Sequence, residues 1–295
     1  MGSLLVKVKT KMSIYAHKKV QGLLEGEYGS VFKGRSMDFD DLRPYVAGDD
    51  IKDVDWKATA RGGQMLIKRY VAIRKHNILL VVDTGRNMSA VGAAGETKRD
   101  VAIMVSGVMG YIAQKHGDLV ALVSGNDEET QYIPLKGTNQ HLEKILQHIK
   151  KESQPDAPVS NLARQLEYIA RSIRRRMMVV ILSDDIDITD EYEKLLRRLV
   201  AQHELMWITI GDSDITQKTL AKDAVYDIGS GAELPSFLQQ DTQVQKEFSA
   251  AVENRRIETE KRLSRLQISS QRVSGEADAV TALFKLLEKQ RYARR

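Results

Sequence analysis

The sequence predicts an α/β protein: a three-layer α/β/α sandwich around a mostly parallel sheet, with a small β-rich N-terminal region and C-terminal helices. Three observations predict it. Two uninterrupted apolar runs, Ile78–Val82 and Met177–Leu182, have strand length and lead into Asp83 and Asp184. Such runs suit strands buried on both faces. Around them, strand-length segments alternate with helix-length amphipathic ones, the pattern of right-handed βαβ units. Before His76 the pattern differs, with short segments and many turn residues.

Taken in order, Met12 to Gly22 has helical spacing. Gly26, Gly29, Gly34, Pro44, Gly48, Gly62 and Gly63 then punctuate short segments, and Met65 to Ile73 has strand character. Ile78–Asp83 is the first strand of the sandwich. Thr97–Lys115 is a helix with Val101, Met104, Val105, Val108 and Ile112 on one face. Leu119–Ser124 is a strand, and Gln131–Leu135 a short edge strand containing Pro134. Thr138 caps a helix running to about Lys151. Pro155 and Pro158 mark a break before a helix at Asn161–Arg174. The strand Met177–Ser183, the helix Asp190–His203 and the strand Leu205–Ile210 follow, with Ala224–Ile228 as a last short strand. Pro235 suits the first turn of a long helix through about Leu266. The short segment Gln267–Val273 precedes a final helix, Glu276–Tyr292. The expected divisions are therefore a lead-in at 1–75, the sandwich at 76–235, and two C-terminal helices at 236–295 packed on it.

Composition narrows the function classes. A chain of 295 residues with 42% hydrophobic content supports a large core. No apolar run approaches the ~20 residues of a membrane span. Met1 to Lys11 mixes apolar residues with lysines and lacks the apolar stretch and cleavage site of a signal peptide. A soluble, cytoplasmic protein is the expectation. The absence of cysteine removes disulfides, thiolate metal sites and cysteine nucleophiles. Net charge is +5, from 45 basic and 40 acidic residues. Basic clusters at 171–176 and 291–295 suit phosphate contacts, but they equally suit solvated helix ends, and there is little aromatic support for nucleic-acid binding.

The residues with chemical potential lie at strand ends, where ligand sites of parallel sheets occur. Asp83 is followed at alternate positions by Gly85 and Asn87. Two further loops should converge with this one: the turn carrying Ser160 and the turn carrying Asp184 and Asp185. One or two carboxylates with hydroxyl or amide oxygens suit a hard cation that keeps several waters. Alternatively, the aspartates cap turns and accept backbone N–H bonds.

This arrangement resembles the von Willebrand factor A-type domain, a Rossmann-type sandwich, and its metal-ion-dependent adhesion site. The family motif is Asp-x-Ser-x-Ser with a Thr and an Asp from later loops. Here the first element stands as Asp83-Thr84-Gly85-Arg86-Asn87, Ser160 matches the threonine position, and Asp184 the last aspartate. The resemblance implies Asp83, Asn87, Ser160 and Asp184 as ligands of Mg2+ or Mn2+, with Arg86 and Asp185 beside them as partner-binding residues. Gly85 supplies no ligand, so the site is degenerate. Arg86 offers a substitute for the cation by pairing with Asp83 or Asp184.

A second signature spans Asp41 to Arg61: Leu42-Arg43-Pro44-Tyr45-Val46-Ala47-Gly48-Asp49-Asp50, then Asp55-Trp56-Lys57, then Ala60-Arg61. Gly48-Asp49 is a turn signal. Arg43, Lys52 and Arg61 are available to pair with the nearby aspartates, and Trp56 is expected as a large buried anchor. The spacing lacks the glycine and terminal glutamate of a calcium loop. The segment closely resembles the bacterial "domain of unknown function 58" proteins, and the strand–helix order agrees to the final helix. That resemblance implies an adaptor or chaperone partner of a MoxR-type AAA+ ATPase, acting on a client protein.

No phosphate-binding loop, dinucleotide fingerprint or nucleophile elbow is present. The six histidines lack ligand spacing, and His141 and His148 are expected to be a solvated pair. The leading expectation is a non-enzymatic interaction module that binds through its strand-end face. The alternative is a metal-dependent phosphohydrolase using Asp83, Asp184 and Asp185; it lacks a general base or second metal cluster.

Overall fold

Alternation of buried strands and amphipathic helices builds a six-stranded sheet in the order β5-β4-β3-β6-β7-β8, with all neighbours parallel except β5 against β4. The computed structural model describes residues 2–15, 18–31, 35–73, 76–213, 226–229, 231, 233 and 241–293. They form two units: Met1–Val31 with Asn77–Arg295, and Phe32–His76.

The larger unit begins with two helices, α1 (Leu4–Tyr15) and α2 (Lys18–Val31). Residues 1–75 are therefore not one lead-in. Leu4, Leu5, Val8 and Met12 recur on one face of α1 and are buried, as are Leu24, Tyr28 and Val31 of α2. This burial ties both helices to the sandwich. Tyr28 donates its hydroxyl hydrogen to Asp118 at 2.6 Å and stacks on His116.

The smaller unit is an antiparallel pair, β1 (Arg35–Pro44) and β2 (Leu66–Ile73), with a short helix, α3 (Trp56–Gly62), between them. Arg43 grips Asp49 through both guanidinium nitrogens at 2.6 and 2.8 Å, and Asp49 also accepts from Val46 N. Asp55 caps α3, accepting from Lys57 N and Ala58 N. Gly48, at φ +110, provides the turn. Trp56 is not a buried anchor: at the first position of α3 it stands 61% exposed. Among the described residues Lys52 and Arg61 form no ion pair.

The sandwich proper starts with β3 (Asn77–Asp83), every residue of which is buried. Next come α4 (Lys98–Lys115), β4 (Leu119–Gly125), β5 (Thr130–Lys136) and α5 (Asn139–Glu152). They are followed by α6 (Leu162–Ser172), β6 (Met178–Ser183), α7 (Asp190–Gln202) and β7 (Glu204–Ile210). Leu79, Val81, Val179 and Ile181 face one side of the sheet and pack with Leu166 and Ile169 of α6 and Leu196 and Leu199 of α7. The other side is covered by α4, which is buried from Val101 to Gly110, because α1, α5 and the last helix, at Ala279–Ala293, pack around it. A Cβ on Gly107 would meet Val8 at 2.7 Å, so α4 and α1 touch backbone to side chain there. Thr97, Thr138, Asn161 and Thr189 cap α4, α5, α6 and α7 through their side chains.

Two features of the C-terminal part differ from expectation. Pro235 and residues 224–225 lie outside the described residues, and Tyr226–Ile228 does not continue as a strand, Tyr226 making an isolated bridge to Glu233; the long helix α8 is described from Thr242 to Arg265, capped by Asp241. Only its last turns are buried, at Leu263 and the following Leu266. The segment after it is a sixth strand, β8 (Ser269–Val273), parallel to β7, before the last helix α9 (Ala279–Ala293). His141 and His148 are not a solvated pair either. His141 is buried with Nε2 on Val120 O at 3.0 Å, and His148 Nε2 lies 2.8 Å from Ser124 Oγ.

From β3 the chain runs through α4 to β4 on one side; from β6 it runs through α7 to β7 on the other. The winding reverses between β3 and β6. Ligands of open α/β sheets bind at the carboxyl ends of strands at such a reversal. Asp83 ends β3, and Asp184 follows β6.

Candidate functional site

Asp83 is fully buried at the end of β3. Its Oδ1 accepts from Gly85 N at 2.8 Å, while Oδ2 is buried with no hydrogen-bond partner. Thr84 ties this loop to β4, its N donating to Gly125 O at 2.9 Å. Arg86 N donates to Pro158 O at 2.9 Å, joining it to the loop that carries Ser160. A Cβ on Gly85 would lie 2.5 Å from Ser160 N, Cα and Oγ. The missing side chain at position 85 is therefore what lets the Ser160 loop reach Asp83.

Asn87 and Asp184 complete the group. Asn87 Nδ2 lies 3.4 Å from Asp184 Oδ2. Four oxygens from three loops, Asp83 Oδ2, Asn87 Oδ1, Ser160 Oγ and Asp184 Oδ1, are buried without a hydrogen-bond partner. Native proteins rarely leave such groups unsatisfied, because each costs about 1–3 kcal/mol. The four residues singled out as ligands each carry one such open oxygen; Ser106, Ser153, Gln165 and other residues away from the site carry one too, and what sets these four apart is that their three loops meet at the sheet reversal. Two carboxylates, an amide and a hydroxyl fit a hard divalent cation that keeps part of its water shell. Among the described residues no group of three acidic or histidine side chains could hold a metal, so any such site depends on the amide and the hydroxyl.

Electrostatics agree with an open site. Burial, and then the nearby Asp184, push the Asp83 pKa up to about 7; the Gly85 N–H, the adjacent Ser160 hydroxyl and Lys98 pull the other way. The Ser160 hydroxyl is close enough to act on the carboxylate but is not placed to donate a well-formed hydrogen bond to it. Asp184 is also raised, chiefly by burial, with Lys98 opposing.

Lys98 is the residue that sequence reasoning missed. Its side chain is only 4% exposed; Nζ lies 3.4 Å from Asp184 Oδ2 and forms an ion pair with Asp212. Burial lowers its pKa, but the two carboxylates outweigh this and the net shift is upward, so it stays charged. A signal was present: a lysine in the first turn of a helix opposes the helix dipole and needs an acidic partner. Arg86 does not take this role. It forms no ion pair among the described residues, and its Nε is buried without a partner. Asp185 is engaged elsewhere, ion-paired with Arg272 of β8. Val91, Val159 and Tyr226, close in sequence to Asn87, Ser160 and Gly229, are exposed, and a Cβ on Gly229 would sit 3.3 Å from Asn87 Oδ1.

Fold and site together define a three-layer α/β sandwich with an acidic, oxygen-lined site at the reversal of its sheet. The family model "Protein of unknown function DUF58" matches residues 41–258, and the chain belongs to that family. Uncharacterized proteins of Mycobacterium tuberculosis and Mycobacterium bovis are 27% identical over 202 residues, 68% of this chain. The chain spans 63% of the length of these curated relatives. Among solved structures, a von Willebrand factor type A protein from Catenulispora acidiphila matches 75% of this chain and 43% of its own, at 10% identity and a TM-score of 0.43. An aerotolerance-related membrane protein from Bacteroides fragilis matches 72% of this chain and 99% of its own, at 10% identity and a TM-score of 0.45. No helix among the described residues of the present chain is long and apolar enough to cross a membrane.

Proposed function

We propose that this protein is a non-enzymatic interaction module whose strand-end face binds a partner protein around a divalent cation, Mg2+ or Mn2+. The observation that carries this reading is the meeting of three loops that bring together four buried, unpartnered oxygens, on Asp83, Asn87, Ser160 and Asp184. When bound, the cation supplies a Lewis-acid centre with open positions that a partner carboxylate can fill. Asp83 and Asp184 bring negative charge, Asn87 and Ser160 bring neutral oxygens, and Gly85 keeps the Ser160 loop close. Exposed Val91, Val159 and Tyr226, close in sequence to Asn87, Ser160 and Gly229, supply apolar contact. Arg86 and Asp185 are charged residues of the ligand loops that are not ligands, and we assign them to partner contact, Asp185 together with Arg272, its ion-pair partner.

The resemblance to the domain of unknown function 58 proteins nominates a MoxR-type AAA+ ATPase as partner, with this chain as adaptor or co-chaperone for a client in the cytoplasm. The test is co-purification of the full chain with a co-expressed MoxR-type ATPase, in Mg2+ and in EDTA. Capture in Mg2+ that is lost in EDTA and in Asp83→Asn supports the reading; capture unaffected by either overturns it. No observation favours the phosphohydrolase: Asp185 pairs with Arg272 and does not join Asp83 and Asp184.

A further inference from the structure

We infer that Lys98 is a built-in counter-cation that sets how tightly the strand-end site holds its divalent ion. The inference rests on the cation-binding reading above and goes beyond it by naming the residue that tunes the site. Three observations carry it. First, Lys98 is buried although it begins a helix, so its charge has been placed inside at a cost that only fixed partners offset. Second, its Nζ faces Asp184 Oδ2, the oxygen shared with Asn87 Nδ2, and leaves Asp184 Oδ1 unpartnered. The ammonium therefore takes one edge of this carboxylate and leaves the other for a metal. Third, Asp212 forms the other half of the lysine's ion pair. Its side chain is 48% exposed, and it is held by a backbone bridge to Gly92. Lys98 is thus fixed between an inner and an outer carboxylate and does not swing freely.

A positive charge in van der Waals reach of a metal ligand acts in two directions. Without a divalent ion it offsets the repulsion between the buried Asp83 and Asp184 carboxylates, so the empty site stays folded. With a divalent ion bound it repels that ion, and in a poorly solvated site a unit charge at this range changes affinity by about tenfold or more. Lys98 touches a ligand residue and is not itself a ligand, so it is a positioning and charge-setting residue.

The test is a titration of the full chain with Mn2+, followed by the electron paramagnetic resonance signal of the free ion. Wild type, Lys98→Met and Lys98→Arg are compared, with circular dichroism confirming the fold. Lys98→Met is expected to bind Mn2+ about tenfold more tightly or better, and Lys98→Arg, which keeps the charge, to bind as wild type does. If Lys98→Met fails to fold without metal, Lys98→Gln, which keeps a donor for Asp184, takes its place with the same expectation. Equal Mn2+ affinity in wild type and the uncharged variant overturns the inference and leaves the cation site standing. Mn2+ binding by none of the proteins overturns the cation reading itself.

Discussion

Gly85 and Ser160 approach so closely that a β-carbon on Gly85 would lie 2.5 Å from the Ser160 backbone nitrogen. The obstacle is backbone, not the tip of a flexible side chain, so the loops themselves must part to admit one. Gly85→Ala should cost about 1–3 kcal/mol in urea unfolding, the range of overpacked sites. It should also weaken Mn2+ binding, because Ser160 is pushed from Asp83. A variant with wild-type stability and affinity would show that the approach does not shape the site.

The start of α1 is held by one carboxylate from another helix. Glu143 of α5 accepts from Ser3 Oγ at 2.7 Å, Leu4 N at 2.9 Å and Leu5 N at 2.8 Å, capping the start of α1 from outside the helix. Glu143→Ala should destabilise the protein by about 1–2 kcal/mol, as lost N-caps do. Hydrogen exchange should quicken first at the amides of α1, with β3 and β6 unaffected.

Acid sensitivity should arise from buried histidines. His203 is 2% exposed, and its pKa is lowered by burial and by Arg176. Its Nδ1 accepts from Met177 N, which holds the neutral ring. The native state then binds fewer protons than the unfolded state below the ordinary histidine pKa of about 6.5. Stability is present above that pH and is lost as pH falls through it, by at most about 1.4 kcal/mol per pH unit for this group. His203→Gln, measured by thermal unfolding between pH 7 and pH 5.5, should show a shallower loss than wild type.

The sheet core is legible because β3 and β6 carry the uninterrupted apolar runs Ile78–Val82 and Met178–Leu182, and Asp83 and Asp184 mark the strand ends. Two of the site's three loops follow from that placement; the third, with Ser160, is marked by the break at Pro155 and Pro158 before α6. What was hidden depends on partners distant in sequence. β8 is Ser-Ser-Gln-Arg-Val, too polar and short to announce a strand until β7 supplies its ladder. α2 contains Gly22, Gly26 and Gly29, which argue against a helix locally but are outweighed by burial of Leu24, Tyr28 and Val31. Trp56 was assigned to a core by residue type alone, and it stands exposed. Lys98 lies eighty-six positions from its partner Asp184, so no local pattern could join them.

The central claim is that the four open oxygens form a cation site, and the shift of the unfolding temperature on adding Mg2+ tests it most directly. Measured at pH 8 in full-length protein stripped with EDTA, wild type should be raised by several degrees at millimolar Mg2+, as expected for a ligand that binds only the native state. Asp83→Asn should remove that shift while leaving the stripped protein at least as stable as wild type, because it deletes a buried charge. An equal Mg2+ shift in wild type and Asp83→Asn, or none in either, would contradict the account.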